Sequence, residues 1–264
     1  MDWKYENLPA PLKLLYSVLQ KVWLVWVICV FTMTGLVALC FYVFIFNFFS
    51  EKRATLYTFY VTKGWGKALL LFSLVRVKTS GYRLDPKKNY VMISNHVSAS
   101  DIPVCMASAS TPFAFLAKIE VDKIPIVGYL ARNMHVYVER KTTEGRKASI
   151  KRMEDYVLSG KSIHIYVEGT RNKSDDPLGS FYDGAFKLAI KTQTPLAIAT
   201  ICGSNRVMTP KDPLKISPAY VQCIWEAPVE TKGMTMDDLE YLKQLAREKM
   251  IANLRAVQAS EITH

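Results

Sequence analysis

Between Val22 and Phe49 the chain runs 28 residues without a charge, VWLVWVICVFTMTGLVALCFYVFIFNFF. A helix of that length extends roughly 42 Å at about 1.5 Å per residue, more than a hydrocarbon core of about 30 Å. The stretch therefore implies a membrane-embedded segment that either tilts strongly or breaks in two, with Gly35 as the natural hinge. It is too long for the apolar region of a cleaved signal peptide, which spans about 7 to 15 residues. The flanks leave orientation open, since Lys4, Lys13 and Lys21 precede the run and Lys52, Arg53, Lys63 and Lys67 follow it.

The remainder of the 264 residues is long enough to bury one sizeable core. The expected division is an N-terminal anchor with interfacial helices over residues 1–75 and a catalytic-sized α/β domain over 76–264. A net charge of +11 calls for an anionic partner. No zinc-finger spacing, RNP-like aromatic motif or basic helix supports nucleic acid, so an anionic membrane surface beside the apolar anchor is the expected partner. Cys29, Cys40, Cys105, Cys202 and Cys223 are scattered and form no C-x-x-C pair, which points to reduced thiols and a catalytic face in the cytoplasm.

From residue 89 the pattern changes period. Short β-branched or aromatic runs at 89–94, 113–118, 135–139, 162–167, 196–201 and 220–225 read as largely buried strands. Helical patterns lie between them: DIPVCMASA, KIPIVGYLARN, EGRKASIKRMEDYVLSG with Gly160 as a stop, and YDGAFKLAIKT. A last helix from about Thr235 to Val257 opens on Thr235 as N-cap. Strands alternating with helices predict an α/β fold, a mostly parallel sheet flanked by helices on both faces, preceded by the membrane-embedded helical segment.

Two turns carry candidate chemistry. In ISNHVSASDIP, His96 follows a strand and Asp101 stands five residues on, as the expected N-cap of a helix with Pro103 in its first turn. Sites in open α/β sheets gather at the carboxyl ends of strands. A carboxylate folding back to one imidazole nitrogen leaves the other free as a base, and the nucleophile can then be a substrate hydroxyl. Asp101 as a plain helix cap and His96 as a satisfied turn histidine are the alternatives. In YVEGTRNKSDD, Glu168, Gly169, Thr170 and Arg171 follow another strand, where a glycine lets a ligand approach the backbone and Arg171 offers a forked donor to phosphate. Among the cations at Lys118, Arg132, Arg140 and Lys141, Lys118 and Arg140 fall at strand ends. His135 and His164 sit inside strands as structural residues, no metal-ligand spacing occurs, and neither a metal nor a cofactor is expected.

Taken in order, NHVSASD, AKIEVDKIPIVG, YVER, VEGTR and TPLAI resemble the four motif blocks of the glycerolipid acyltransferases, nearest to the 1-acylglycerol-3-phosphate (lysophosphatidate) acyltransferases. The resemblance spans about residues 85–205, and the combination of His-x4-Asp with Glu-Gly-Thr-Arg about 70 residues apart is specific. It implies transfer of a fatty acyl group from acyl-CoA or an acyl carrier protein to the free hydroxyl of lysophosphatidate, giving phosphatidate in phospholipid biosynthesis. By the same resemblance His96 is the general base and Asp101 its orienting partner. Lys118, Arg140 and Arg171 hold the acceptor phosphate, Glu168, Gly169 and Thr170 shape the acceptor site, and Thr194, Pro195 and Leu196 line a substrate pocket. Val97, Glu139 and Val167 depart from the more usual family residues and bear on the acceptor headgroup. Backbone amides around Gly169 are the expected oxyanion donors. The competing readings are an acyltransferase for another lysolipid, a hydrolase using Ser98 or Ser100, and a non-catalytic membrane lipid-binding protein.

Overall fold

The computed structural model describes residues 9–118, 123, 128–129, 136–139, 142–174, 176–209, 212 and 214–262. Its chain opens with a helical hairpin, α1 (Ala10–Phe48) and α2 (Glu51–Phe72). At 39 residues α1 is a single unbroken helix of about 58 Å. The expected hinge is absent: Gly35 is helical and buried. Cross-links to α2 support that stretch, where Trp65 Nε1 donates to Thr34 Oγ1 at 3.1 Å and Tyr42 and Thr62 share a hydroxyl hydrogen bond of 2.7 Å. Nearer the open end of the hairpin Trp26 Nε1 donates to the Phe72 carbonyl at 2.9 Å. Apart from this seam α1 is exposed, with leucines, valines and phenylalanines on its outer face.

Seven strands follow: β1 (Val75–Gly81), β2 (Val91–Ser94), β3 (Ala114–Lys118), β4 (Val136–Val138), β5 (Ile163–Tyr166), β6 (Leu196–Cys202) and β7 (Ala219–Trp225). They form one sheet in the order β1-β7-β6-β2-β5-β3-β4. All neighbours run parallel except β6 and β7, so β1 and β7 point against the other five. Strand β1 is the element that the sequence patterns leave unnamed, because VRVKTSG carries two charges and continues a helical stretch without a turn signal. The break is made at Leu74, which adopts φ +52°.

Alternation along the strands sends residues to two cores. Val91, Ile93, Ile163 and Ile165 meet α4 (Thr143–Leu158), α5 (Gly184–Thr192) and α6 (Leu239–Ile262), whereas Met92, Ala197, Ala199 and Ile201 meet α2 and α3 (Asp101–Ser108). Helix α4 ends where expected, with Gly160 at φ +82°. Thr235 caps the last helix through a capping box with Asp238, across a 3-10 turn at Met236–Asp238. The expected helix KIPIVGYLARN lies mainly outside the described residues.

Candidate active site

The carboxyl ends of β2 and β5, which pair in parallel with Ser94 opposite Tyr166, bring the two sequence motifs together. After β2 the chain leaves the sheet, and Asn95 clamps the departure: its amide group donates to the Ile201 carbonyl at 2.9 Å and accepts the Ile201 N–H at 2.8 Å. His96 follows, with only 14% of its side chain exposed.

Helix α3 begins at Asp101 itself; Ser100 occupies the cap position and makes no side-chain cap. Asp101 is thus the first helical residue rather than the expected N-cap, because its carboxylate turns back over the preceding loop. There Oδ2 accepts the N–H groups of Val97 and Ser98, each at 2.8 Å, and lies 2.9 Å from His96 Nδ1. Asp101 is fully buried, and its Oδ1 has no hydrogen-bond partner among the described residues. An ionised carboxylate only accepts, so it holds the imidazole proton on Nδ1 and makes Nε2 the basic nitrogen. Among the described residues no hydrogen bond reaches Nε2. A histidine oriented in this way can take a proton from a hydroxyl placed against Nε2.

Glu168 ties the second motif to the first. Its Oε1 accepts the His96 N–H at 2.8 Å and its Oε2 accepts the Gly179 N–H at 2.7 Å. The loops are further laced by Asn172 N–H donating to the His96 carbonyl at 2.7 Å. Burial pushes the Glu168 carboxyl up, while the two amides oppose the shift. A Cβ at Gly179 would sit 2.8 Å from Glu168 Oε2, so any larger residue there has to displace the carboxylate. Both carboxylate oxygens are therefore engaged by backbone, and Glu168 shapes the site by joining its loops. Gly169, at φ +64°, donates its N–H to the Tyr166 carbonyl at 3.0 Å. That bond closes the turn and engages the Gly169 amide itself, one of the amides expected around this position to serve as oxyanion donors.

Thr170 is exposed and Arg171 half-buried, following Glu168 directly. Lys118 ends β3, and Arg140 lies outside the described residues, as do Arg132, His135 and Lys141. Ser98 Oγ and Ser100 Oγ are buried and bonded to each other at 2.8 Å, so neither is paired with His96. Thr194, Pro195 and Leu196 sit at the opposite end of the sheet, where Leu196 opens β6 beside Val91; the Pro195 carbonyl accepts the Val91 N–H at 3.1 Å. Their role is to stitch β6 to β2, and the expected place in a substrate pocket is not realised.

Two features escaped the sequence patterns. Beneath His96 lies Tyr166, its ring 4.0 Å away and tilted by 17°. Alternation along β5 puts His164 on the same face, buried, with Nε2 3.5 Å from Cys105 Sγ. Burial, and secondarily the charge of His96, drops the His164 pKa to about 3, so it stays neutral; burial likewise raises the Cys105 thiol and the Tyr166 phenol. The second feature is a cavity of about 410 Å³, nearly all apolar, running from Ala99 and Ser100 between the hairpin, α3 and β3, with Val27, Trp65, Leu70 and Phe115 in its walls. No group of three or more metal-ligating side chains occurs among the described residues.

A model of the acyltransferase family matches residues 76–202, which runs from β1 to the end of β6. The 1-acyl-sn-glycerol-3-phosphate acyltransferase of Borreliella burgdorferi is 25% identical over 192 residues, covering 72% of this chain and 76% of that protein. A chloroplastic enzyme of the same description from Arabidopsis thaliana is 30% identical over 152 residues, 56% of this chain and 42% of its own length. The alpha enzyme of Mus musculus is 28% identical over 189 residues, 69% of this chain and 65% of that one. This chain thus spans about three quarters of the bacterial relative and less than half of the plastid one. The crystal structure of the 1-acyl-sn-glycerophosphate acyltransferase from Thermotoga maritima superposes with a TM-score of 0.81, over 92% of this chain and 98% of that chain, at 22% identity. That likeness shows the fold.

Proposed function

We propose that this chain, which matches a model of the acyltransferase family over residues 76–202, moves a fatty acyl group from an acyl thioester to the free hydroxyl of 1-acylglycerol-3-phosphate, giving phosphatidate. The observation that carries the reading is the His96–Asp101 pair: Nδ1 held at 2.9 Å by a buried carboxylate that also accepts two amides, with no hydrogen bond to Nε2 among the described residues. Nε2 takes the proton of the acceptor hydroxyl as its oxygen attacks the thioester carbonyl. The tetrahedral adduct collapses, the carbon–sulfur bond breaks, and the imidazolium returns the proton to the departing thiolate. No covalent enzyme intermediate is needed.

The named relatives act on an acceptor of this kind, and Arg171 stands next to the joined loops with a guanidinium suited to a phosphate. Lys118 and Arg140 are assigned to the same phosphate by the motif resemblance. The apolar cavity of about 410 Å³ beside Ala99 and Ser100 suits an acyl chain whose carboxyl end lies near His96.

The hairpin supplies the membrane. Helix α1 is the one described helix long and apolar enough to cross a bilayer. It lies along α2, however, and α2 packs on α3 of the catalytic domain. An upright crossing would draw that domain into hydrocarbon, so α1 enters the bilayer at a strong tilt with its outer face in lipid. The acceptor then arrives from the bilayer and the thioester, acyl-CoA or acyl carrier protein, from the cytoplasm.

The test is acyl transfer from long-chain acyl-CoA to lysophosphatidate in detergent or liposomes, wild type beside His96→Ala. Activity in the wild type and its loss in a folded variant is the expected result. A panel of acceptors in which lysophosphatidate is the poorest would discard the acceptor assignment, and equal activity in both proteins would discard the mechanism.

A further inference from the structure

The hydrogen bond to Asp101 fixes one atom of the His96 ring and leaves the ring free to rock about that bond. Stacking removes the remaining freedom. The His96 and Tyr166 rings lie 4.0 Å apart at 17°, and Tyr166 continues to Phe115 at 6.1 Å and 13°, so the three rings form one nearly parallel pile. The buried His164 wedges it edge-on, 4.9 Å from Tyr166 at 74° and 5.2 Å from Phe115 at 71°. The Tyr166 hydroxyl points to Cys105 Sγ at 3.9 Å.

The far end of the pile is not sealed in the core. Phe115 is part of the wall of the apolar cavity of about 410 Å³, and Thr62, Met106 and Phe115 also border a second cavity of about 950 Å³ beyond it. Whatever fills the first cavity bears on Phe115, and through Tyr166 on the imidazole.

We propose that Tyr166 and Phe115 are positioning residues that hold the His96 ring square to the reaction and couple its alignment to occupancy of the apolar cavity. The proposal rests on the acyl-transfer reading. A donor whose tail fills the cavity packs Phe115 against Tyr166 and Tyr166 against His96; a short tail leaves the pile loose. Binding energy from the tail is then realised in turnover as well as in affinity.

Two measurements on the full-length protein in detergent test this. The first needs no substrate. A ring lying over an aromatic face carries upfield-shifted proton resonances, so the His96 imidazole signals of the histidine-labelled protein are expected upfield in wild type and in Tyr166→Phe, and at ordinary positions in Tyr166→Leu. The second is kinetic, on variants whose melting matches wild type. Tyr166→Leu is expected to lower kcat roughly tenfold to a hundredfold with every donor, and Tyr166→Phe to restore it. Phe115→Leu is expected to lower kcat about tenfold with a long-chain thioester and by a distinctly smaller factor with a short-chain one. Wild-type His96 shifts in Tyr166→Leu, or a Phe115→Leu effect confined to KM or equal for both chain lengths, would overturn the proposal. Transfer to a lysolipid other than lysophosphatidate sinks the acceptor assignment alone, since both measurements vary the pile and the donor.

Discussion

The two ends of the parallel strands carry the same kinds of polar residue and use them differently. At the amino ends several polar side chains serve as mortar. Ser162 Oγ accepts the Tyr90 N–H at 3.0 Å, Asn89 donates to the Val157 carbonyl at 2.9 Å, and Thr231 Oγ1 donates to the Thr194 carbonyl at 2.9 Å. At the carboxyl ends Asn95, Asp101 and Glu168 are just as busy with backbone, yet their combined effect is to leave one nitrogen, His96 Nε2, unengaged among the described residues. A reactive group is made here by saturating its neighbours. For the base role proposed for His96, the surroundings supply a single orientation.

Removing the unengaged group should separate the two ends most sharply. His96→Ala is expected to cut the acyl-transfer rate by about a thousandfold while leaving the melting temperature near that of wild type. Asp101→Asn puts an amide where the imidazole proton and two backbone N–H groups need an acceptor, and should cost about a hundredfold in rate as the ring loses its tautomer. Gly179→Ala drives a methyl group into Glu168 Oε2, and a rate loss of roughly tenfold with unchanged acceptor KM is the result to look for.

At the amino end Ser162→Ala should do the reverse: a stability loss of about 1 kcal/mol in denaturant titration, with the rate of the folded protein intact. A separate effect concerns acid. His164 has its pKa depressed to about 3 in the folded chain against 6.5 for the free side chain. Between those values the unfolded chain binds a proton that the folded one refuses, so stability falls as pH drops through that window. In His164→Gln the curve of stability against pH should flatten there, and an unaltered curve would assign the acid sensitivity to other groups.

The legible parts of this molecule were those with a period or a fixed spacing. The short apolar runs in NYVMIS and LAIATI, and the polar turns after NYVMIS and SIHIYV, announce the sheet and the carboxyl-end site directly. What stayed hidden depends on partners distant in sequence. Tyr166 reads as one more buried strand residue until β2 delivers His96 onto its ring. Glu168 reads as a side chain waiting for a ligand, because nothing local reveals that the amides of His96 and Gly179 claim it. The TPLAI block looks equal to the other motifs on paper, and only the parallel register with β2 puts it at the opposite end from the base. Strand β1 was hidden for a different reason: its partner β7 lies some 140 residues later, Val75 pairing with Ala219, and without that partner a short charged stretch has no pattern of its own.

The Asn95 clamp fixes when the base comes into being during synthesis. Its two hydrogen bonds are to Ile201, and the amide of His96 is held by Glu168. A nascent chain that has displayed His96 and Asp101 lacks the second fixture until Glu168 has emerged and the first until Ile201 has. The helical hairpin, made first, can therefore fold before the ribosome has finished the parts that hold His96 in place. Premature termination before Ile201 yields a hairpin with a His96 that the clamp does not hold.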